Sequence, residues 1–143
     1  MQKFSANQKL IYNPELRFRK EEHRCIAYII DDFFYSPDKV SVLLPQEVIM
    51  LLLFDGEHTF SEVVKNMVYV FDIQNATEAQ AETMLCNSLE MLEKRTNIQP
   101  LIQDISTIKP EVLEATKNRY PEPGYFVIPQ NKIIFNPRDL RLS

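Results

Sequence analysis

The sequence predicts an α+β fold, in which a three-stranded antiparallel sheet is followed by three helices and a C-terminal extension. Three observations predict this fold. Short segments that alternate polar and apolar residues come first, helix-start signals follow them, and segment 39–64 joins the two parts without a break. In that segment an apolar strand leads into two closely joined helices, which is how a small winged helix-turn-helix domain is built. Such domains bind polymers, so the sequence favours a binding function over the conversion of a small molecule.

Three strands are predicted in the first third of the chain. Residues 16–20 alternate Leu and Phe with Arg, which is the period of a half-buried strand. Residues 24–30 form a second strand rich in Ile and Tyr, and residues 39–44 form the third. Residues 1–13 are predicted to be polar and irregular, apart from Leu10-Ile11-Tyr12, and residues 31–38 to form the loop between the second and third strands.

The first two helices are predicted from the residues at their ends. Pro45 suits the first turn of a helix that continues to Phe54, and Gly56 is predicted to end this helix in the left-handed conformation. Thr59 and Glu62 match a capping box, which starts the second helix directly after Thr59. The apolar residues of the second helix have the spacing of a core-facing stripe: Phe60, Val63, Val64, Met67, Val68 and Phe71.

A third helix is predicted from Asn75, as its N-cap, to about Arg95. Its core stripe consists of Ala81, Leu85, Leu89 and Leu92. A second stripe of Met84, Ser88 and Met91 flanks the first. The sequence leaves open whether this second stripe widens the core or lines a groove, where flexible Met side chains adapt to varied peptide surfaces.

The last third of the chain has a different character. Residues 98–110 show no sustained period, and a short helix is predicted over residues 111–117. Residues 125–128 and 133–135 are predicted to be two strands joined as a hairpin. We therefore divide the chain into a domain at 1–102 and a C-terminal extension or linker at 103–143.

Composition narrows the class of protein. A hydrophobic content of 45% with 25% charged residues is that of a globular protein and disfavours disorder. The formal net charge of −4 disfavours nucleic acid as a partner, because phosphate binding needs clustered Lys and Arg. The one basic cluster, at residues 17–24, fits the charged outward face of a hairpin. No long apolar run or signal peptide is present, so we expect a cytoplasmic protein that binds no membrane.

The residues that chemistry requires are scarce. Only His23 and His58 exist, and neither lies in a nucleophile pattern. Cys25 and Cys86 are far apart in sequence and too few to hold an iron-sulfur cluster or a zinc ion. Two glycines cannot form a glycine-rich phosphate loop. We therefore expect no catalytic residue, no metal site and no enzymatic activity in this chain.

One stretch of the sequence resembles a known family. Residues 54–64 read Phe-Asp-Gly-Glu-His-Thr-Phe-Ser-Glu-Val-Val, which follows the family's pattern of Asp-Gly, a polar pair, Thr and a helix opening with Glu-Val. Asn13-Pro14 before a charged strand and residues 40–44 before a helix add to the similarity. On these residues, segment 10–102 resembles the PqqD-like family. This family comprises the peptide chaperone of pyrroloquinoline quinone biosynthesis and the recognition elements of enzymes that modify ribosomally made peptides.

The resemblance implies that the third strand and third helix capture the leader segment of a precursor peptide and present it to a radical S-adenosylmethionine maturase. S-adenosylmethionine and a 4Fe-4S cluster are then expected only in an associated or fused enzyme domain. The third helix is longer and more acidic than the family pattern. Residues 103–143 have no counterpart in the minimal domain, and they look like the connector before the catalytic barrel of such maturases.

Capture is expected by β-strand addition, in which an extended peptide pairs with an open sheet edge. Alternation along the third strand places Val40, Val42 and Leu44 on one face and Ser41 and Leu43 on the other. One set should pack on the helices and the other should contact the guest. The predicted peptide-binding residues are Lys39, Val40, Ser41, Val42, Leu43, Leu44, Met84, Asn87, Ser88 and Met91.

Two alternatives remain open from sequence. A winged-helix DNA-binding regulator would need a neutral or basic recognition helix. The third helix instead carries four Glu residues against Lys94 and Arg95, a net charge of −2. The other alternative is a structural domain that docks an enzyme to its partner, and the sequence does not discriminate against it.

Overall fold

The structure, a computed structural model, describes residues 4–22, 24–29, 40–118, 127–128, 133–135, 137 and 141–142. These residues form an α+β fold with two three-stranded antiparallel sheets and four α-helices. The strands are β1 (Lys9–Tyr12), β2 (Leu16–Lys20), β3 (Cys25–Ile29), β4 (Ser41–Leu43), β5 (Asp55–Thr59), β6 (Ile102–Asp104), β7 (Val127–Ile128) and β8 (Arg141–Leu142). The helices are α1 (Pro45–Leu52), α2 (Phe60–Val70), α3 (Glu78–Thr96) and α4 (Pro110–Lys117).

The predicted three-stranded sheet is present, in the order β2-β3-β4. Its antiparallel register runs without a bulge from Leu16 opposite Ile29 to Lys20 opposite Cys25, and Leu43 lies opposite Cys25 on the other side. Three helices follow this sheet, as the sequence predicts. Within the described part of the chain, no strand pairs with the outer edge of β4.

The second sheet, with the order β5-β1-β6, was not predicted. The sequence predicts no strand in residues 1–13, but Lys9–Tyr12, which include the apolar exception Leu10-Ile11-Tyr12, form β1, the central strand of this sheet. Leu10, Ile11 and Tyr12 are all buried, so β1 lacks the alternation that marks a strand with one wet face. β6 pairs with β1 through Ile102 to Asp104, so the predicted domain boundary at residue 102 falls inside a strand.

The turn predicted after the first helix is also a strand. The helix ends at Leu52, two residues earlier than predicted, and the chain then enters β5. Gly56 has the predicted positive φ, at 79°, but it lies within β5 and does not end the helix. A Cβ at this position would lie 3.2 Å from Cδ1 of Ile11, so both the backbone angle and the close approach of β1 favour glycine.

Local hydrogen bonds fix the starts of α2 and α3. The predicted capping box at α2 is confirmed: the Glu62 amide donates to the Thr59 hydroxyl at 3.3 Å, and the Glu62 carboxylate accepts from the Thr59 amide at 2.8 Å. The N-cap of α3 is Thr77 and not Asn75, since Gln80 completes a second capping box with Thr77. Asn75 instead takes a left-handed backbone with φ 59°.

The C-terminal extension differs from the prediction. The helix predicted over residues 111–117 is confirmed as α4. The predicted hairpin is wrong, because β7 pairs in parallel with β8 and residues 133–135 are not a strand. Residues 125 and 126 of the predicted strand lie outside the described residues. Parallel strands need a connection longer than a hairpin turn, and the chain supplies 12 residues between Ile128 and Arg141.

Candidate functional site

A groove of about 620 Å³ lies between α1, the end of α2 and α3. Helical spacing places the residues of each wall on one face of its helix: Gln46, Glu47 and Met50 on α1, and Met84, Ser88 and Met91 on α3. The groove is lined by Gln46, Glu47, Met50, Met67, Phe71, Ile73, Met84, Ser88, Met91, Leu92, Lys94 and Arg95. Its volume falls within the range of about 300–1,000 Å³ that small-ligand sites occupy.

Methionine dominates the apolar surface of the groove. Met50, Met67 and Leu92 are buried and form its floor. Met84 and Met91 stand at the rim, where Met91 is 70% exposed. Unbranched thioether side chains change rotamer readily, so the groove can adapt to guests of different shape.

The side chains of β4 alternate between core and solvent. Leu43 is 2% exposed and belongs to the hydrophobic core. Val42 and Leu44 are 52% and 53% exposed. The structure therefore assigns the two faces that the sequence left open: Leu43 lies on the helix side of the sheet, and Val42 and Leu44 point away from the core.

The main chain of β4 presents hydrogen-bonding groups at its open edge. The amide of Glu21 donates to the carbonyl of Arg24, which fixes the phase of the ladder between β2 and β3. Successive residues of a strand direct their main-chain groups to opposite sides. The N–H and C=O of Ile26 therefore hydrogen-bond to β2, and those of the residues on either side of it hydrogen-bond to β4. Val42 lies opposite Ile26, so the N–H and C=O of Val42 face outward, away from β3.

The end of β4 is tied to both walls of the groove. The Ser41 hydroxyl donates to the Thr96 carbonyl at the C-terminus of α3, at a long 3.5 Å. Glu47 accepts from the Leu44 amide at 2.8 Å and pairs with Arg95 of α3 at 2.5 Å. Leu44 has no acceptor side chain, so only the Glu47 half of a capping box is present at α1. The open edge of β4 therefore begins beside the groove.

One end of the groove is cationic. Lys94 and Arg95 both line it, and each has an acidic neighbour, at 3.5 Å from Glu90 and 2.5 Å from Glu47 respectively. The Lys94–Glu90 pair is solvent-exposed, and exposed ion pairs contribute at most about 1 kcal/mol, so a carboxylate on a guest can replace Glu90 at little cost. The Arg95–Glu47 pair is partly buried, because Glu47 is only 18% exposed.

The structure distributes the predicted site residues as follows. Met84, Ser88 and Met91 line the groove, while Asn87 is exposed on α3 and does not line it. Val40 is half-buried. Lys39 lies outside the described residues. None of the predicted residues from Val40 to Leu44 lines the groove. Ser41 and Leu44 are connected to its walls only through their hydrogen bonds to Thr96 and Glu47.

Five apolar groove residues are absent from the predicted site: Met50, Met67, Phe71, Ile73 and Leu92. Met67 and Phe71 belong to the apolar stripe predicted for the second helix, and Leu92 belongs to the core stripe of the third, so the sequence predicts all three as core residues. A stripe at helical spacing is the same whether it covers the interior or the floor of an open groove. The one available signal was the number of Met residues in this region of the chain.

His58 and Asp55 form a hydrogen-bonded pair in β5. The buried Asp55 carboxylate accepts from the amides of Glu57 and His58 and lies 2.7 Å from Nδ1 of the His58 ring. These bonds hold the polar strand around Gly56, which gives the pair a structural role. Burial raises the pKa of the Cys25 and Cys86 thiols, which lowers their nucleophilicity at neutral pH.

Among the described residues, no group of three or more His, Cys, Asp or Glu side chains is arranged to hold a metal ion. No helix in those parts of the chain combines the length and hydropathy needed to cross a membrane.

No protein-family model, curated protein or solved structure matches this chain, so the interpretation of the site depends on its own geometry and residues.

Proposed function

We propose that this chain is a non-catalytic domain that captures an extended peptide by β-strand addition to β4. The observation that carries the proposal is the outward-facing N–H and C=O of Val42 at an edge that begins beside a Met-rich groove. Main-chain hydrogen bonds to the edge supply affinity for any extended guest, and the groove selects among side chains.

The groove sets the side chains that the guest must carry. In a strand paired with β4, alternate residues lie on the same side of the sheet as Leu43, which is the side of the helices. Those residues should be large and apolar to fill a groove with a floor of Met50, Met67 and Leu92. A carboxylate further along the guest would meet Lys94 and Arg95.

The resemblance to the PqqD-like family gives the class of guest: the leader segment of a ribosomally made precursor peptide. In this interpretation the sheet β2-β3-β4 and the helices α1–α3 correspond to the winged helix-turn-helix arrangement of the family. The partner is a radical S-adenosylmethionine maturase, fused or separate, which holds the S-adenosylmethionine and the 4Fe-4S cluster. The domain presents the peptide to that enzyme in the cytoplasm.

The described part of the C-terminal extension leaves the edge open. An extension seated on β4 would have competed with a guest. Residues 133–135 instead contact α2 through Asn66, and β7 pairs with β8. This placement supports the proposal, because strand addition requires an unoccupied edge.

A titration tests the proposal. Synthetic peptides that cover each short reading frame next to the gene for this chain are labelled and followed by fluorescence anisotropy. We expect one of them to bind with a Kd of about 1 μM or tighter, which corresponds to about −8 kcal/mol. Labelled duplex DNA at low salt is the control, because α3 presents four Glu residues against Lys94 and Arg95. Saturable, sequence-selective DNA binding without peptide binding would overturn the proposal in favour of a regulator.

A further inference from the structure

The C-terminal extension is attached to α2 through one buried amide side chain. Asn66 lies in the middle of α2 and is 0% exposed. Its Nδ2 donates to the carbonyl of Phe135 at 2.7 Å, and its Oδ1 accepts from the amides of Ile134 and Phe135 at 3.2 and 2.9 Å. An Asn side chain can make four hydrogen bonds, so three of them go to the main chain of one short segment.

Apolar contacts flank this anchor on both sides. Ile133 packs against the hydrophobic core, and Pro137 is buried. The Phe135 ring lies 6.1 Å from the ring of His58, which Asp55 holds in place in β5. The segment is thus seated at several successive residues on a surface formed by α2 and β5.

We propose that Asn66 and this surface form a docking site for residues 133–135 and Pro137, and that the docking holds this part of the C-terminal extension at a fixed position on the domain. The hydrogen bonds from Asn66 to the segment all go to main-chain atoms. The apolar contacts of Ile133 and Pro137 therefore determine which segment of the chain docks at Asn66. The inference is independent of the peptide-binding function, because Asn66, Asp55 and His58 do not line the groove.

The docking has a consequence for the path of the chain. Residues after α4 return to the domain at Asn66, so the position of residue 135 is set by α2. If the peptide-binding function also holds, the docking fixes the position of residue 135 relative to the captured guest. Without the docking, that position would be undefined.

Amide hydrogen exchange of the 143-residue chain, followed by NMR, tests the docking. The Ile134 and Phe135 amides of the unaltered protein should exchange at least about tenfold more slowly than those of an unstructured chain. In Asn66→Ala both amides should exchange at the unstructured rate. Lys65→Ala, at an exposed position of the same helix, is the matched control and should leave both amides slow.

A second pair of variants keeps α2 intact in case Asn66→Ala does not fold. Phe135→Pro removes the N–H that donates to Asn66, whereas Phe135→Ala keeps it. The Ile134 amide should exchange fast in the Pro variant and more slowly in the Ala variant. Fast exchange of both amides in the unaltered protein would overturn the proposal. Slow exchange of these amides in Asn66→Ala would also overturn it. If Asn66→Ala unfolds, slow exchange of the Ile134 amide in Phe135→Pro would overturn it.

Discussion

Replacing Val42 with Pro should weaken peptide binding while leaving the sheet intact. The Val42 amide faces the open edge, so its loss removes no hydrogen bond between β3 and β4. Proline is tolerated at edge positions whose N–H faces outward, and the preceding residue, Ser41, is already extended. The substitution therefore acts on the bond to the guest and spares the fold.

The size of the effect follows from the groups involved. A lost main-chain hydrogen bond, together with a guest carbonyl left unpaired, costs about 2 kcal/mol, or roughly 30-fold in Kd. Val42→Ala keeps the amide and shortens a side chain that is 52% exposed. Its cost should be about 0.5 kcal/mol, or roughly twofold. Leu43→Pro does not test peptide binding, because it removes a core side chain and an amide that hydrogen-bonds to β3, and so it disrupts the fold itself.

The measurement is an anisotropy titration of each variant with the peptide that binds the unaltered chain. Thermal unfolding monitored by circular dichroism shows whether each variant remains folded. Pro and Ala variants that both fold but weaken binding equally would refute pairing through the Val42 amide. An unchanged Kd in both variants would refute any role for this part of β4.

Three further predictions concern the groove and the fold. Met91→Lys should weaken peptide binding about tenfold or more, because it places a charge at the apolar rim of the groove. Thr83→Lys is the control: this residue is exposed on the same helix outside the groove, and its substitution should leave the Kd unchanged. Thr59→Ala should lower the free energy of unfolding by about 1 kcal/mol in thermal melts, and an unchanged melt would show that the cap is dispensable. Hydrogen bonds from Ser106 hold the pKa of Asp104 below its ordinary 3.8, so the ionised carboxylate stabilises the fold above that pH. In urea titrations at pH 7, Asp104→Asn should therefore have a lower free energy of unfolding than the unaltered protein. This difference in free energy should disappear as the pH falls below 3.8. A difference that does not depend on pH would contradict this assignment.

Elements governed by local rules were predictable from the sequence. The alternation of Leu and Phe with Arg gave β2 its bounds, because a half-buried strand exposes every second residue. The Thr59–Glu62 pair located the start of α2, because its hydrogen bonds lie within three residues. For α3 the same rule applied at Thr77, two residues after the predicted cap.

Elements made by distant pairing were not predictable. β1 is apolar at three consecutive residues because it is the buried centre of a sheet, and this pattern does not distinguish it from a loop segment that packs inward. β5 reads Asp-Gly-Glu-His-Thr, a composition that favours a turn. Its pairing with β1 overrides that local preference.

The candidate site was predictable in part. Met84 and Met91 were recognised because they lie beside the core stripe of α3, whereas Met67 lies within the stripe of α2. The role of Asn66 could not have been predicted, since its hydrogen-bond partner Phe135 is 69 residues away.

Amide exchange of β4 with and without peptide examines strand addition at the atoms that make it. In the free protein the Val42 amide should exchange quickly and the Leu43 amide slowly, because only Leu43 is bonded toward β3. Saturating peptide should slow the Val42 amide by at least about tenfold and leave Leu43 slow. Peptide binding that saturates while the Val42 amide continues to exchange quickly would contradict capture at this edge.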